Sequence, residues 1–512
     1  MANLFNPKDR RVLPNWRSFS LTTGLGELDG LKKGVNVSSR PDLSIEDYVF
    51  SWDRNKQITI AGDLLSAAFV NGLTEDPKVK EAAVFVLSNR EKSTDNLLKF
   101  AEYIINPTDE AIDKRVTFHF EDGYDEIKKM IREIKDKINN YQQTTIFFVL
   151  LSSLYAILGN KEKAIKNMSI AIQLAPENRF VLRAASRLYT HFGLADHIHH
   201  IIKKSEISKY DPWIISAEIA LATILDRSSH LIKKGFQMIK FGKYVPRDLT
   251  ELAASLGTLE FLHGNRKKTN KMLKASMISP NDNSLAQVEW ISNKGYNFII
   301  NPNDYRIENK YEALTLDNYY DNKFDEALKN SIAWFCDIPF SRSPIIFSSY
   351  IAGSILDKNE LAINILFAGL ESHPNDPQII NNLAFALALE NRLDDAEKHL
   401  GKIVNLSNVD QIASVCLTAT KGLVAFRRGN KTKGRKLYSE SIEKTEEIKN
   451  NYLKGLAMLN YVREEILSNS DDNLINNLME QVDKIQIDKM FPDAIKLKNV
   501  IIELYKKRKN KT

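Results

Sequence analysis

Three sets of residues have the types and spacing that chemistry asks for. The first is Gly429-Asn430-Lys431-Thr432-Lys433-Gly434-Arg435-Lys436, with the two glycines of a phosphate-binding loop at the right separation. In such a loop backbone N–H groups cradle the phosphates, a Lys reaches the β- and γ-phosphates, and a Ser or Thr holds magnesium. Arg435-Lys436 stands where Lys followed by Ser or Thr is needed, so nucleotide binding is not expected. The second set is His191, His197, His199 and His200, of which His197 and His200 are i, i+3 neighbours able to present two imidazoles on one helix face. No cysteine lies nearby as a third ligand, and a polar helix exposing its histidines is the expected outcome. The third is Cys336 and Cys416, each in an apolar frame (AWFCDIPF and ASVCLTAT) where free Cys acts as a small hydrophobe. HExxH and G-x-S-x-G are absent, and carboxylate pairs such as Asp394-Asp395 and Glu446-Glu447 fall on helix surfaces. These residues point away from an enzyme, and no cofactor or metal is expected.

The elements that must position any site follow from composition and period. The chain has 512 residues with 71 Lys and Arg against 65 Asp and Glu, a balance of +6 that lacks the excess of a phosphate-tracking protein. A hydrophobic fraction of 43% supplies a core and excludes a disordered chain. Two cysteines exclude a disulfide framework. The first twenty residues have no apolar core of a secretory signal, and the longest apolar run, Ile146 to Ala156, is far shorter than the ~20 residues that span a bilayer. A cytoplasmic protein with no membrane partner is expected.

A fixed period organises the rest. Leu154-Tyr155 with Gly159 recurs as Leu188-Tyr189 with Gly193, 34 residues on. Ala327, Ala362 and Ala396 recur at 35 and 34 residues in the frames FDEAL, NELAI and LDDAE. Between Ile157 and Ile172 the apolar positions follow helical spacing on either side of a Gly159-Asn160 turn, and Pro176 ends the second helix. A single pair of such helices cannot bury its apolar face, whereas stacked neighbours can.

These residues resemble the tetratricopeptide repeat family, whose 34-residue unit is a helix A, a tight turn and a helix B. Thr145 to Asn178 is the fullest match, with Leu151, Tyr155, Gly159, Ala164, Ala171 and Pro176 at the family's positions; further copies fall at about 179–212, 250–283, 308–341, 343–376, 377–410 and 415–448. Segment 213–249 fits loosely, and the aromatic residue early in helix A is mostly replaced. The resemblance implies an all-α fold, an α-solenoid of about seven to nine units.

The expected organisation is an irregular segment 1–58, a helical N-terminal region 59–142 with a short strand at Val116–Phe120, a first repeat block 143–283, an insertion or bend 284–307, a second block 308–448, and capping helices with a basic tail at 449–512. By resemblance, helix A lines a concave groove. Candidate partner contacts are Arg183 and Arg187 in the second copy, Phe347 and Ile351 in the fifth, and Asn381 and Phe385 in the sixth. Chaperone-tail binders of the family use a Lys and Asn set, and Val149 and Ser153 occupy two of those positions here, so that partner is not expected. The function expected is a non-catalytic scaffold, adaptor or regulatory subunit, a subunit of a complex, that grips a helix, loop or peptide of a partner protein. Burial between helices competes with this role for Phe347, Ile351 and Phe385, and ordinary solvation competes for the two arginines. Three rivals remain: a nucleic-acid-binding solenoid using Lys267 to Lys274 and the tail Lys506–Lys511, which is disfavoured; a peptide-sensing regulator; and an enzyme with an unrecognised N-terminal domain.

Overall fold

The computed structural model describes residues 45–510 apart from 72–74, 107–122, 140–144, 242–243, 404–409, 488–490 and isolated positions between 293 and 308. The strand expected at Val116–Phe120 lies outside the described residues. Among those described, every regular element is helical. Two compact units are present, one formed mainly by residues up to 300 and the other mainly by 301–512.

The first unit begins with α1 (Ile45–Arg54), α2 (Ile58–Asn71), α3 (Pro77–Ser88) and α4 (Asp95–Ile105), followed by α5 (Gly123–Asn139). The first of these lies inside the segment expected to be irregular. Its apolar residues Ile45, Tyr48, Val49 and Trp52 follow the i, i+3, i+4, i+7 spacing of a helix, and Trp52 is fully buried among Leu64, Leu65 and Val86. Pro and Gly farther upstream had masked this short pattern. Then come α6 (Thr145–Ile157), α7 (Lys161–Leu174), α8 (Arg179–His191), α9 (Ala195–Lys204), α10 (Pro212–Ile224), α11 (Ile232–Lys240), α12 (Pro246–Leu262), α13 (Arg266–Ser276) and α14 (Asp282–Ser292). The last is a helix inside the stretch expected as an insertion.

The second unit holds α15 (Tyr311–Tyr320), α16 (Phe324–Asp337), α17 (Arg342–Tyr350), α18 (Asn359–Ser372), α19 (Pro377–Leu389), α20 (Leu393–Gly401), α21 (Gln411–Arg427), α22 (Lys431–Glu447), α23 (Asn451–Leu467), α24 (Asp472–Lys484) and α25 (Pro492–Lys509).

From α6 to α13 and from α15 to α24 the helices pair as A and B, the α-solenoid arrangement of tetratricopeptide-like hairpins. One hydrogen bond defines the turn in eight of these nine hairpins. The N–H of Asn160, Leu194, Arg227, Asn265, Lys323, Arg392, Asn430 and Ser470 donates to the carbonyl five residues back, at 2.7–3.1 Å. That bond requires the preceding residue to be left-handed, a conformation that Gly adopts freely and Asn or Asp tolerates. Gly159, Gly193, Gly264 and Gly429 have φ between 64° and 81°, and Asp226, Asn322 and Asn391 take the same place at 54° to 61°. The loosely fitting segment 213–249 is therefore a hairpin like the others, with Asp226 at its turn.

The 35-residue step between Ala327 and Ala362 also has a structural cause. Helix α17 runs into a π-helical turn, Ile351–Ile355, and the Lys358 N–H reaches back six residues to Ala352 instead of five. The extra residue is absorbed as a π turn. Lys496 Nζ donates to the Ile355 carbonyl at 2.8 Å.

Close approach of A and B explains the small residue repeated early in helix B. Ala164, Thr269, Ala327, Ala362 and Ala396 are all at most 1% exposed. Gly434 occupies the same phase, and a Cβ there would lie 2.4 Å from a ring carbon of Phe426.

Candidate functional site

The A helices of the first block carry a polar seam where a repeat core is ordinarily apolar. At its centre is Glu251 of α12, 1% exposed. Asn281 Nδ2 donates to its Oε1 at 2.6 Å and Asn283 Nδ2 to its Oε2 at 2.7 Å. Arg183 of α8 reaches across α10 to bring its guanidinium 3.6 Å from Oε1. On the way it lies over the Trp213 ring, 4.3 Å from the centroid. Such a stacked cation is held by the ring's negative face. Arg179, one turn earlier, pairs with Asp211 at 2.6 Å, and Asp211 also caps α10 by accepting from the Trp213 and Ile214 N–H groups. Ser216 and Ser255 share a hydrogen bond of 2.7 Å, and the Thr258 hydroxyl lies 2.9 Å from Gln287 Oε1.

Burial governs the electrostatics. It pushes the Glu251 carboxyl above its usual range, opposed by Arg183 and by the two amide donors. It likewise raises the carboxyl of Asp248, 9% exposed, which accepts from the Trp213 indole Nε1–H at 3.5 Å. Desolvation lowers the Arg183 guanidinium, with Glu251 as the main opposing charge. Three side-chain atoms in the seam are sealed from solvent with no hydrogen-bond partner among the described residues: Arg183 Nε, Asn283 Oδ1 and Gln287 Nε2. Buried polar atoms are ordinarily satisfied, and these three are exceptions of a kind that recurs along the described chain, as at Thr190 Oγ1, Thr315 Oγ1 and Asn460 Oδ1.

The sequence candidates fare differently. Arg183 belongs to the seam, and Arg187 lies one turn along the same helix, partly buried. Solvation as ordinary surface charge does not describe Arg183, because it is the counter-ion of a buried carboxylate. Phe347 and Ile351 are 1% and 0% exposed, and Phe347 packs edge-on against Tyr319 with centroids 5.2 Å apart. They are packing residues, since the aromatic position early in helix A faces its own neighbours. Asn381 is 7% exposed and accepts from the Thr420 hydroxyl at 2.8 Å, while Phe385 is half-buried.

The other motifs are absorbed by packing. In the glycine string, Gly429 forms the turn, Asn430 caps α22 by accepting from the Lys433 N–H at 3.0 Å, Gly434 admits Phe426, and Arg435 pairs with Glu465 at 2.6 Å. Of the histidines, His197 and His200 are exposed, but His199 is 5% exposed and sits 3.0 Å from buried Glu218, which corrects the picture of a wholly exposed cluster. Among the described residues no three His, Cys, Asp or Glu side chains are placed to hold a metal. Burial pushes the Cys336 and Cys416 thiols up to about 11. No described helix is long and apolar enough to cross a membrane. The seam residues Trp213, Glu251, Asn283 and Gln287 were missed by sequence reasoning. The signal was there in α14, where Asn283 and Gln287 lie one turn apart in a helix that is buried almost all round.

The helical hairpins with their shared left-handed turn define the class: an all-α protein with a tetratricopeptide-like repeat fold. No family model matches the sequence, and no curated protein matches it. Solved structures that align with it include the crystal structure of yeast Tom70, 15% identical over 76% of this chain and 96% of that one, with a TM-score of 0.30. The structure of Naa15/Naa10 bound to HypK-THB aligns at 13% identity over 92% of this chain and 76% of that one, with a TM-score of 0.24. A circular tandem repeat protein of novel repeat topology aligns at 14% identity over 95% and 97%, with a TM-score of 0.14. At such scores these likenesses carry no argument about function, and the class rests on the hairpins themselves.

Proposed function

We propose that this protein is a non-catalytic scaffold that holds a segment of a partner protein against the A helices of its first block. The observation that carries the reading is the Arg183 guanidinium, held over the Trp213 ring beside buried Glu251 with 24% of its side-chain surface still exposed. A partner's carboxylate or backbone carbonyl can accept from the exposed part of that guanidinium. Arg187 and, in the second block, Asn381 and Phe385 are further contacts in this reading, and a place in a cytoplasmic complex goes with it.

Arg183→Lys tests it. The substitution keeps a positive charge near Glu251 and removes the planar fork that a partner's oxygen would meet. In quantitative co-purification from the native cell, a partner held by the wild type should fall at least tenfold with the variant, while its urea midpoint shifts by no more than about 1 kcal/mol equivalent. Identical partner profiles for both proteins would refute the proposal.

A further inference from the structure

The near-neutral total charge conceals a separation between the outer helices of the two blocks. Helices α11 and α13 together hold eight Lys or Arg and no Asp or Glu, whereas α16, α18 and α20 hold eight Asp or Glu against two Lys. The acidic set is largely answered within its own unit: Lys358 pairs with Asp325 at 2.7 Å, Arg392 lies 3.9 Å from Glu360, and Arg428 pairs with Asp394 and Glu397. The basic set is not. Lys268 has Glu260 at 3.4 Å, but no described carboxylate lies within ion-pair distance of the side chains of Arg266, Lys267, Lys271 or Lys274, and all four are exposed.

These four cations, with Asn270 and Tyr296, line one shallow, wide-open hollow of about 520 Å³. Its wall is fixed, because the Tyr296 hydroxyl donates to the Arg266 carbonyl at 2.6 Å and the ring is 8% exposed. Lys267, Lys271 and Lys274 follow i, i+4, i+7, so they form a row roughly 10 Å long at ~1.5 Å per residue. Like charges held this close repel one another and await a polyanion. The row's chemistry distinguishes which one. Lys is a point charge that meets phosphate from many directions, and the evenly repeated charges of a phosphodiester backbone match an evenly spaced row of cations. Three of the four unpaired cations are Lys.

We infer that this hollow on α13 binds the phosphodiester backbone of a single-stranded nucleic acid. The contact is sequence-independent and lies on B-helix residues that the polar seam does not use, so it stands or falls separately from the scaffold proposal. A second copy of this chain is the weaker partner, because the acidic helices that would face the hollow already have their own cations.

Fluorescence anisotropy of the full chain with a labelled oligouridylate decides the matter. Binding should weaken with salt, with a slope in log K against log salt near −3, since each phosphate neutralised on a single strand contributes about −0.7. The triple variant Lys267→Glu, Lys271→Glu, Lys274→Glu should bind at least tenfold more weakly, and its Gln counterpart, which keeps helix propensity should the first variant not fold, should lose about two units of slope. Lys506→Glu with Lys507→Glu should change affinity less than twofold. The inference is overturned by any of four results: no binding at about 50 mM salt; a triple variant that binds as wild type does; tighter binding of a polyglutamate peptide of equal charge than of the oligouridylate; or low-salt self-association that the same lysines control in the absence of RNA.

Discussion

Around α12 and α14 the first unit buries Glu251, Asn283 and Gln287, and around α15 and α17 the second buries Phe347, Ile351 and Tyr319. The contrast teaches that a helical hairpin constrains its turn and the A–B contact closely, and leaves the face between successive A helices open to either chemistry. Apolar filling around Phe347 asks for no hydrogen-bond partners, although α15 beside it also buries Glu312 and Thr315. Polar filling requires every atom to find a partner, and one left unmet costs its full desolvation.

Phe347→Ala tests the apolar side of this contrast and should have the largest effect. A fully buried aromatic removed from between helices costs about 3–5 kcal/mol through lost transfer energy and the cavity left behind. Urea unfolding should register that loss, and a cost below about 1 kcal/mol would place Phe347 at a surface after all.

Arg183→Met tests the polar side. Removing one partner of a buried pair costs about 3–5 kcal/mol. Arg183 keeps 24% of its side-chain surface and Glu251 retains two amide donors, so a loss of about 2 kcal/mol is expected here. The double variant with Glu251→Leu should recover part of that loss, since no unpaired carboxylate then remains. Additive losses in the double variant would mean that the two side chains act independently.

A smaller effect is expected at Asp248, whose carboxyl burial raises. The folded protein therefore binds its proton more tightly than the unfolded chain does. The stability this contributes is present below the ordinary carboxylate range and is lost as pH rises through the folded value. Asp248→Asn removes the titration, so wild type minus variant stability should fall with rising pH above about 4. A flat difference would show that Asp248 is solvated.

Much of the repeat was legible because its strictest requirements fall on residue types with few substitutes. Gly159, Gly193, Gly264 and Gly429 announce left-handed turns, and Ala164, Ala327, Ala362 and Ala396 announce close helix contacts. The hairpin at Asp226 was not legible by the same rule, because Asp and Asn reach the left-handed region at modest cost and also occur everywhere else. Helix α1 escaped for a different reason: ten residues carry too few turns of periodicity to stand out beside Pro- and Gly-rich neighbours. At the candidate site, Arg183 and Arg187 were visible as cations one turn apart, but the partner that gives Arg183 its role lies 68 residues away in Glu251.

The amino-acid sequence by itself determined the helical hairpins, their period, and the want of a catalytic constellation in any familiar spacing, because turns, caps and amphipathic faces are set by residues within a few positions of one another. Only the tertiary structure decided which side chains are interior. It made Phe347 and Ile351 core, joined Arg183 to Glu251 across an intervening helix, and placed no described carboxylate beside Arg266, Lys267, Lys271 and Lys274 of α13 while several acidic residues of the second block found cations. Each outcome depends on which helices stack side by side, and contacts between residues tens of positions apart leave no periodic trace along the chain.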